Sequence, residues 1–217
     1  MTKVTDDLFD KAINETSFAI PDSPKSDKPR TKKQPLVAGD YVGHIVQVNS
    51  KVVDVRKGEY KARVYDYFVE VAPENKNNKY SYKDYDTDEM LEGDGSAYVG
   101  YKFKGSIFKY LEPGKDDTFK PRTENNKYFL WFCEACGIDC PVVTTKVNGE
   151  EMEVKSLPSI NMEDLVGTPV VAFVNKGNTW TDSEGNERTP WVSKYIRPWK
   201  DGEKITVKEE GQDEIPF

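Results

Sequence analysis

The chain has 217 residues with 31 lysines and arginines against 38 aspartates and glutamates, for a formal net charge of −7, which excludes a uniformly basic nucleic-acid-binding surface. Hydrophobic residues make up 36% and mean hydropathy is −0.74; no apolar run approaches the roughly 18 residues of a membrane span, so helical membrane insertion is excluded too. The opening MTKVTDDLFDKAINETSF lacks a basic region followed by an apolar run, and the three cysteines crowd between Cys133 and Cys140, so a cytoplasmic protein of a reducing compartment is expected.

Residues 1–35 open with Leu8, Phe9, Ala12 and Ile13 at helical spacing and continue into IPDSPKSDKPRTKKQP, a linker whose prolines bar a helix and whose charges leave little to bury. Lys25, Lys28, Arg30, Lys32 and Lys33 make this arm basic, and it is expected to be disordered. A folded domain is expected over residues 36–200. Its first strand reads YVGHIVQVNSKVVDV, with Val42, His44, Val46 and Val48 alternating against Gly43, Ile45 and Gln47. The turn Arg56-Lys57-Gly58-Glu59 leads into YKARVYDYFVEV, rich in β-branched and aromatic residues. Residues 73–97 are polar and lack a sustained period, which predicts a long excursion from the sheet.

YVGYKFKGSIFKYL then predicts a third and a fourth strand, with Val99, Tyr101 and Phe103 against the core and Lys102 and Lys104 outward. Thr123 is a candidate cap for a helix through ENNKYFLWFCEACG, on which Phe129, Phe132, Cys133 and Cys136 share a face and Gly137 is the stop. Asn148-Gly149 predicts a tight hairpin, residues 169–175 a strand, and PWVSKYIRPW the last strand. There the period of two sets Trp191, Ser193, Tyr195 and Arg197 on one face and Val192, Lys194 and Ile196 on the other. Several strands, one helix, then more strands predict a mainly β fold, an OB-fold-like antiparallel Greek-key barrel with one inserted helix and long loops. Residues 201–217 form an acidic tail expected to be flexible.

That tail ends Asp213-Glu214-Ile215-Pro216-Phe217, acids followed by two large apolar side chains that a greasy pocket with a basic rim could hold. Over the last nine residues, Glu209 to Phe217, it resembles the acidic, Pro-Phe-terminated tails of bacterial and phage single-stranded DNA-binding proteins. The resemblance implies a tail that recruits replication and recombination proteins and competes with DNA for the protein's own groove. A second, looser resemblance runs through Phe18 and Pro21, Gly39 and Tyr41, Leu130 to Gly137, Leu165, Gly167 and Val170, and Tyr195. It is to small phage-encoded OB-like proteins found among replication and recombination genes.

Binding a single strand without reading its sequence needs cations for phosphates and flat rings for bases. Interleaved bases and aromatics nominate Lys102, Lys104, Phe108, Tyr110, Trp180, Arg188, Trp191, Tyr195 and Arg197 as DNA-binding residues. The expected function is to coat single-stranded DNA in phage replication or recombination, in the bacterial host cytoplasm, and to recruit a polymerase, helicase-primase or nuclease through the tail. Self-association is left open, and no membrane or cofactor is expected. Cys133, Cys136 and Cys140 with His44 form one candidate zinc set, against which stands cysteine's role as a small buried hydrophobe. No nucleophile elbow, phosphate loop or HExxH helix is present, so an enzyme is not expected. Two alternatives stay open. One is an adaptor that binds proteins without DNA, and the other is a metal-dependent nuclease built on the acidic tract Asp84, Asp86, Asp88, Glu89, Glu92 and Asp94.

Overall fold

A β-rich sequence with one short helix folds around a long antiparallel hairpin, β1 (Gly39–Val55) against β2 (Tyr60–Val71). The computed structural model describes residues 34–84, 86–113, 119–121, 126–147 and 149–207; the basic arm, Thr123 and the acidic tail from residue 208 lie outside them. The hairpin turns where the sequence predicts, through Arg56 and Lys57 at φ 50° and 58° and Gly58 at φ 91°. The Gly58 and Glu59 amides donate to the Val55 and Arg56 carbonyls. A bulge between Ile45 and Gln47 changes which face of β1 is buried. Tyr41, Gly43 and Ile45 point inward before it and Val48 after it.

Residues 73–97 leave the principal sheet as expected, and their described residues carry a sheet of their own. A 3-10 turn at Pro73–Asn77 leads to a second hairpin, β3 (Lys79–Lys83) and β4 (Met90–Asp94), closed by another 3-10 turn at Gly95–Tyr98. Asn75, fully buried, holds this unit to the barrel. Its Oδ1 accepts from the Val42 amide, the Tyr80 hydroxyl and the Asn78 side chain, and its Nδ2 donates to the Gly95 carbonyl. Such a group is costly to bury unless it is satisfied, and here both polar atoms of the side chain have partners.

The two strands expected in YVGYKFKGSIFKYL are one, β5 (Lys102–Pro113). Gly100, at φ 81°, turns the chain just ahead of it, so Val99 and Tyr101, expected in the core, are 39% and 40% exposed, while Tyr98 is fully buried in their place. Phe103 does face inward. β6 (Phe119–Pro121) pairs with the end of β5. Helix α1 (Lys127–Ala135) follows Asn126, whose side chain bridges the backbone of Tyr110 instead of capping the helix. Its end is as expected: Gly137 takes φ 71°, its amide donates to Glu134 and that of Ile138 to Cys133, a Schellman closure.

β7 (Val142–Val147) and β8 (Glu150–Lys155) form the expected antiparallel hairpin, with Val147 opposite Glu150. A short helix α2 (Met162–Leu165) precedes β9 (Pro169–Lys176). Two-residue strands β10 (Trp180–Thr181) and β11 (Glu187–Arg188) make a small hairpin before β12 (Trp191–Pro198). The principal sheet runs β12-β9-β1-β2-β5-β6, and a parallel contact of Val192-Ser193 with Lys104-Gly105 joins β12 back to β5. Five strands, β1, β2, β5, β9 and β12, therefore close a barrel, with α1 inserted between its third and fourth strands. This is an OB-like barrel, as the element order predicts.

The core joins Tyr41, Ile45, Val69, Phe103, Val170 and Val174 from the strands to Phe132 and Ala135 of α1. Tyr41 stacks on Tyr80 at 4.8 Å and meets Tyr98 edge-on at 5.3 Å. Their hydroxyls donate to the carbonyls of Val37, Asp40 and Pro35 respectively for Tyr41, Tyr80 and Tyr98. Burial pushes all three phenols above their ordinary value. These rings anchor the segment ahead of β1 as well as the second hairpin.

Candidate nucleic-acid interface

Alternation along β5 turns Lys102, Lys104, Ser106, Phe108 and Tyr110 to one face of the strand, while Phe103, Gly105 and Lys109 are buried on the other. The parallel contact between β5 and β12 ends at Gly105 and Ser193. Past it the strands diverge, and α1 packs into the opening. The result is a groove of about 730 Å³ walled by Ser106, Phe108 and Tyr110 from β5, by Tyr128, Trp131 and Glu134 from α1, and by Lys194, Tyr195, Arg197 and Pro198 from β12.

The groove is aromatic and open. Tyr195 stacks one face on Phe173 at 5.0 Å and is 50% exposed. Phe108 and Tyr110 lie nearly parallel at 6.0 Å, and Tyr128 meets Trp131 edge-on at 5.3 Å. Beneath it, the Tyr67 hydroxyl shares a hydrogen bond with Ser193, and burial pushes Tyr67 up to about 12.

A bulge between Ser193 and Tyr195 corrects the expected face of the last strand. Because the bulge breaks the period of two, Ser193 and Ile196 are both buried, and Trp191 packs against the core, apart from the exposed face of Tyr195 and Arg197. Phe108, Tyr110, Tyr195 and Arg197 are thus brought together in the groove. Lys102 and Lys104 face outward as expected but do not line it, and they pair with Glu70 at 3.4 Å and Asp66 at 3.1 Å. Burial alone would raise the Asp66 carboxyl, but hydrogen bonds from Ser106 and Lys104 and the Lys51 charge outweigh it and hold it below its ordinary value. Trp180, 54% exposed, sits opposite Arg188 on the β10–β11 hairpin, and Arg188 is bound to Asp182. Arg197 pairs with Asp40.

Tyr128, Trp131, Lys194 and Ser106 are lining residues that the sequence reading does not nominate. A basic finger at the β1–β2 turn, which does not line the groove, is also absent from the sequence reading. Residues 51–63 hold Lys51, Arg56, Lys57, Lys61 and Arg63 against Asp54 and Glu59, a local charge of 5 − 2 = +3. Arg56 lies over the Tyr60 ring at 5.7 Å.

The zinc set does not assemble. Cys133 is fully buried on the helix, burial raises all three thiols, and the His44 ring nitrogen is engaged by the Glu203 carbonyl at 3.0 Å. Nor does the acidic tract converge: Asp84 accepts from the Asp86 and Thr87 amides, and Asp88 pairs with Lys83. No group of three histidine, cysteine, aspartate or glutamate side chains among the described residues could hold a metal ion. Asp213, Glu214, Ile215, Pro216 and Phe217 lie outside the described residues. No protein-family model, curated protein or solved structure matches this chain.

Proposed function

We propose that this protein binds single-stranded DNA and coats it during phage replication or recombination. One observation carries the reading, namely an open groove on an OB-like barrel in which the exposed Phe108 and Tyr195 and the half-buried Tyr110 lie beside Lys194 and Arg197. Barrels of this topology bind oligonucleotides over their second and third strands and through the loops joining strands one to two and four to five. In this chain those are β2, β5, the basic finger and the segment bearing Trp180 and Arg188. Rings would stack bases and cations would meet phosphates, with no covalent chemistry and no cofactor. The DEIPF tail would recruit a polymerase, helicase-primase or nuclease, as in the family it resembles.

Anisotropy of labelled oligo(dT), compared with a duplex of equal length, tests this reading. Tight binding of the single strand and weak binding of the duplex are expected, and deleting residues 209–217 should leave or raise the affinity. A second reading, a replication adaptor that docks proteins without DNA, is favoured by the pairing of Lys102, Lys104, Arg188 and Arg197 with carboxylates. It predicts no response to oligo(dT) and retention of a replication enzyme by the immobilised full chain.

A further inference from the structure

On α1, Phe129, Phe132 and Cys133 bury one stripe, and Tyr128, Trp131 and Ala135, at helical spacing, form the next. Ala135 is buried, but Tyr128 and Trp131 remain 59% and 58% exposed. Two large rings left this open on one side of a groove, facing Phe108, Tyr110 and Tyr195 on its other walls, make a contiguous apolar surface of the kind that marks an interaction site.

The charges indicate the occupant. In a chain of net charge −7, the only lining bases among the described residues are Lys194 and Arg197, and Lys127 lies over the Tyr128 ring at 5.1 Å beside the groove. Lys194 makes no ion pair with any described residue. Glu134 is the only lining acid among the described residues, and it is neutralised by Lys155. Ring faces beside Lys194, with the Arg197 charge shared with Asp40, suit a ligand of flat bases strung on phosphates, whereas an apolar or acidic peptide would use the rings without needing several flat faces.

We infer that Tyr128 and Trp131 are base-stacking residues, so that the groove takes bases of single-stranded DNA inserted between helix and sheet. The inference rests on the single-strand reading and deepens it. The inserted helix becomes a wall of the DNA site, in addition to a plug for the barrel. Insertion demands unstacked bases, so the helix wall would also discriminate against duplex.

Anisotropy titrations of labelled oligo(dT) with the full chain test it, using Trp131→Ala, Trp131→Phe and Tyr128→Ala. Because the side chains are exposed, thermal melts should match the unsubstituted protein. Each alanine variant is expected to lose about tenfold in affinity, the scale of one lost base stack, with an unchanged dependence on salt because no cation is removed. Trp131→Phe, which keeps a ring, should bind within about threefold of the unsubstituted protein. If the unsubstituted chain binds and the alanine variants bind equally well, the helix wall is overturned while the single-strand reading stands; a groove for an apolar peptide would give that result. If the unsubstituted chain binds no oligo(dT), the single-strand reading falls and this inference with it.

Discussion

Two groups of aromatic side chains, on opposite sides of the burial line, divide the molecule. Tyr41, Tyr80, Tyr98 and Phe103 are packed ring on ring, nearly inaccessible, with the hydroxyls of the three tyrosines bound to backbone carbonyls. Phe108, Tyr128, Trp131 and Tyr195 expose 38% to 59% of their surface around a single groove. Both groups are large aromatic side chains, and only the second includes a tryptophan. The first group gains its energy on folding, by removing apolar area from water and satisfying each hydroxyl. The second leaves much of that gain unrealised in the isolated chain, so its energy is available for a ligand.

Substitutions can break this contrast from either side. Tyr98→Ala should have the largest effect, a loss of about 3–5 kcal/mol of stability in urea unfolding, as for other large-to-small changes of buried aromatics. Its DNA affinity per folded molecule should be unchanged. Tyr195→Ala should do the reverse and weaken oligo(dT) binding by about 1–3 kcal/mol while costing about 1 kcal/mol of stability through the lost stack on Phe173. Tyr41→Phe keeps the buried ring and removes only the bond to the Val37 carbonyl, and a loss of about 1 kcal/mol in urea unfolding is expected.

The sequence shows the first group's framework better than its membership. The first hairpin, the β7–β8 hairpin and the Gly137 helix stop were legible because each depends on local backbone chemistry. Tyr80 was not, because it sits in a polar stretch whose order depends on Asn75, a residue that gives no periodic signal, and Tyr98 was not, because the turn at Gly100 breaks the alternation that put Val99 and Tyr101 inward. Half of the groove was legible. Phe108, Tyr110, Tyr195 and Arg197 follow from strand alternation and nearby bases. Trp191 was misplaced because a bulge reverses the faces of β12, which alternation alone cannot register. Tyr128 and Trp131 were passed over because the helix was read by its buried stripe, and its second stripe gains meaning only where β5 and β12 part around it.

Two smaller effects sharpen the contrast. Replacing Arg56 and Lys57 together by glutamine should reduce the slope of log affinity against log salt by about 1.4, some 0.7 for each lost phosphate contact on a single strand. Melting should stay the same, since the finger is exposed. On the buried side, the Cys136 thiol is pushed from 9.0 to about 12 by burial. Its folded form resists ionisation and its unfolded form does not, so the stability it contributes is full below pH 9 and is lost as pH rises from there toward 12. Urea midpoints measured upward from pH 8 should therefore fall, and Cys136→Ala should flatten that fall.

The most direct test is a titration of the full chain with oligo(dT) at about 50 mM and 200 mM salt. Saturable binding at the lower salt is predicted, with affinity reduced by an order of magnitude or more at the higher, as expected when several lysines and arginines release counterions from phosphates. A folded chain that gives no binding signal even at the lower salt would contradict the account.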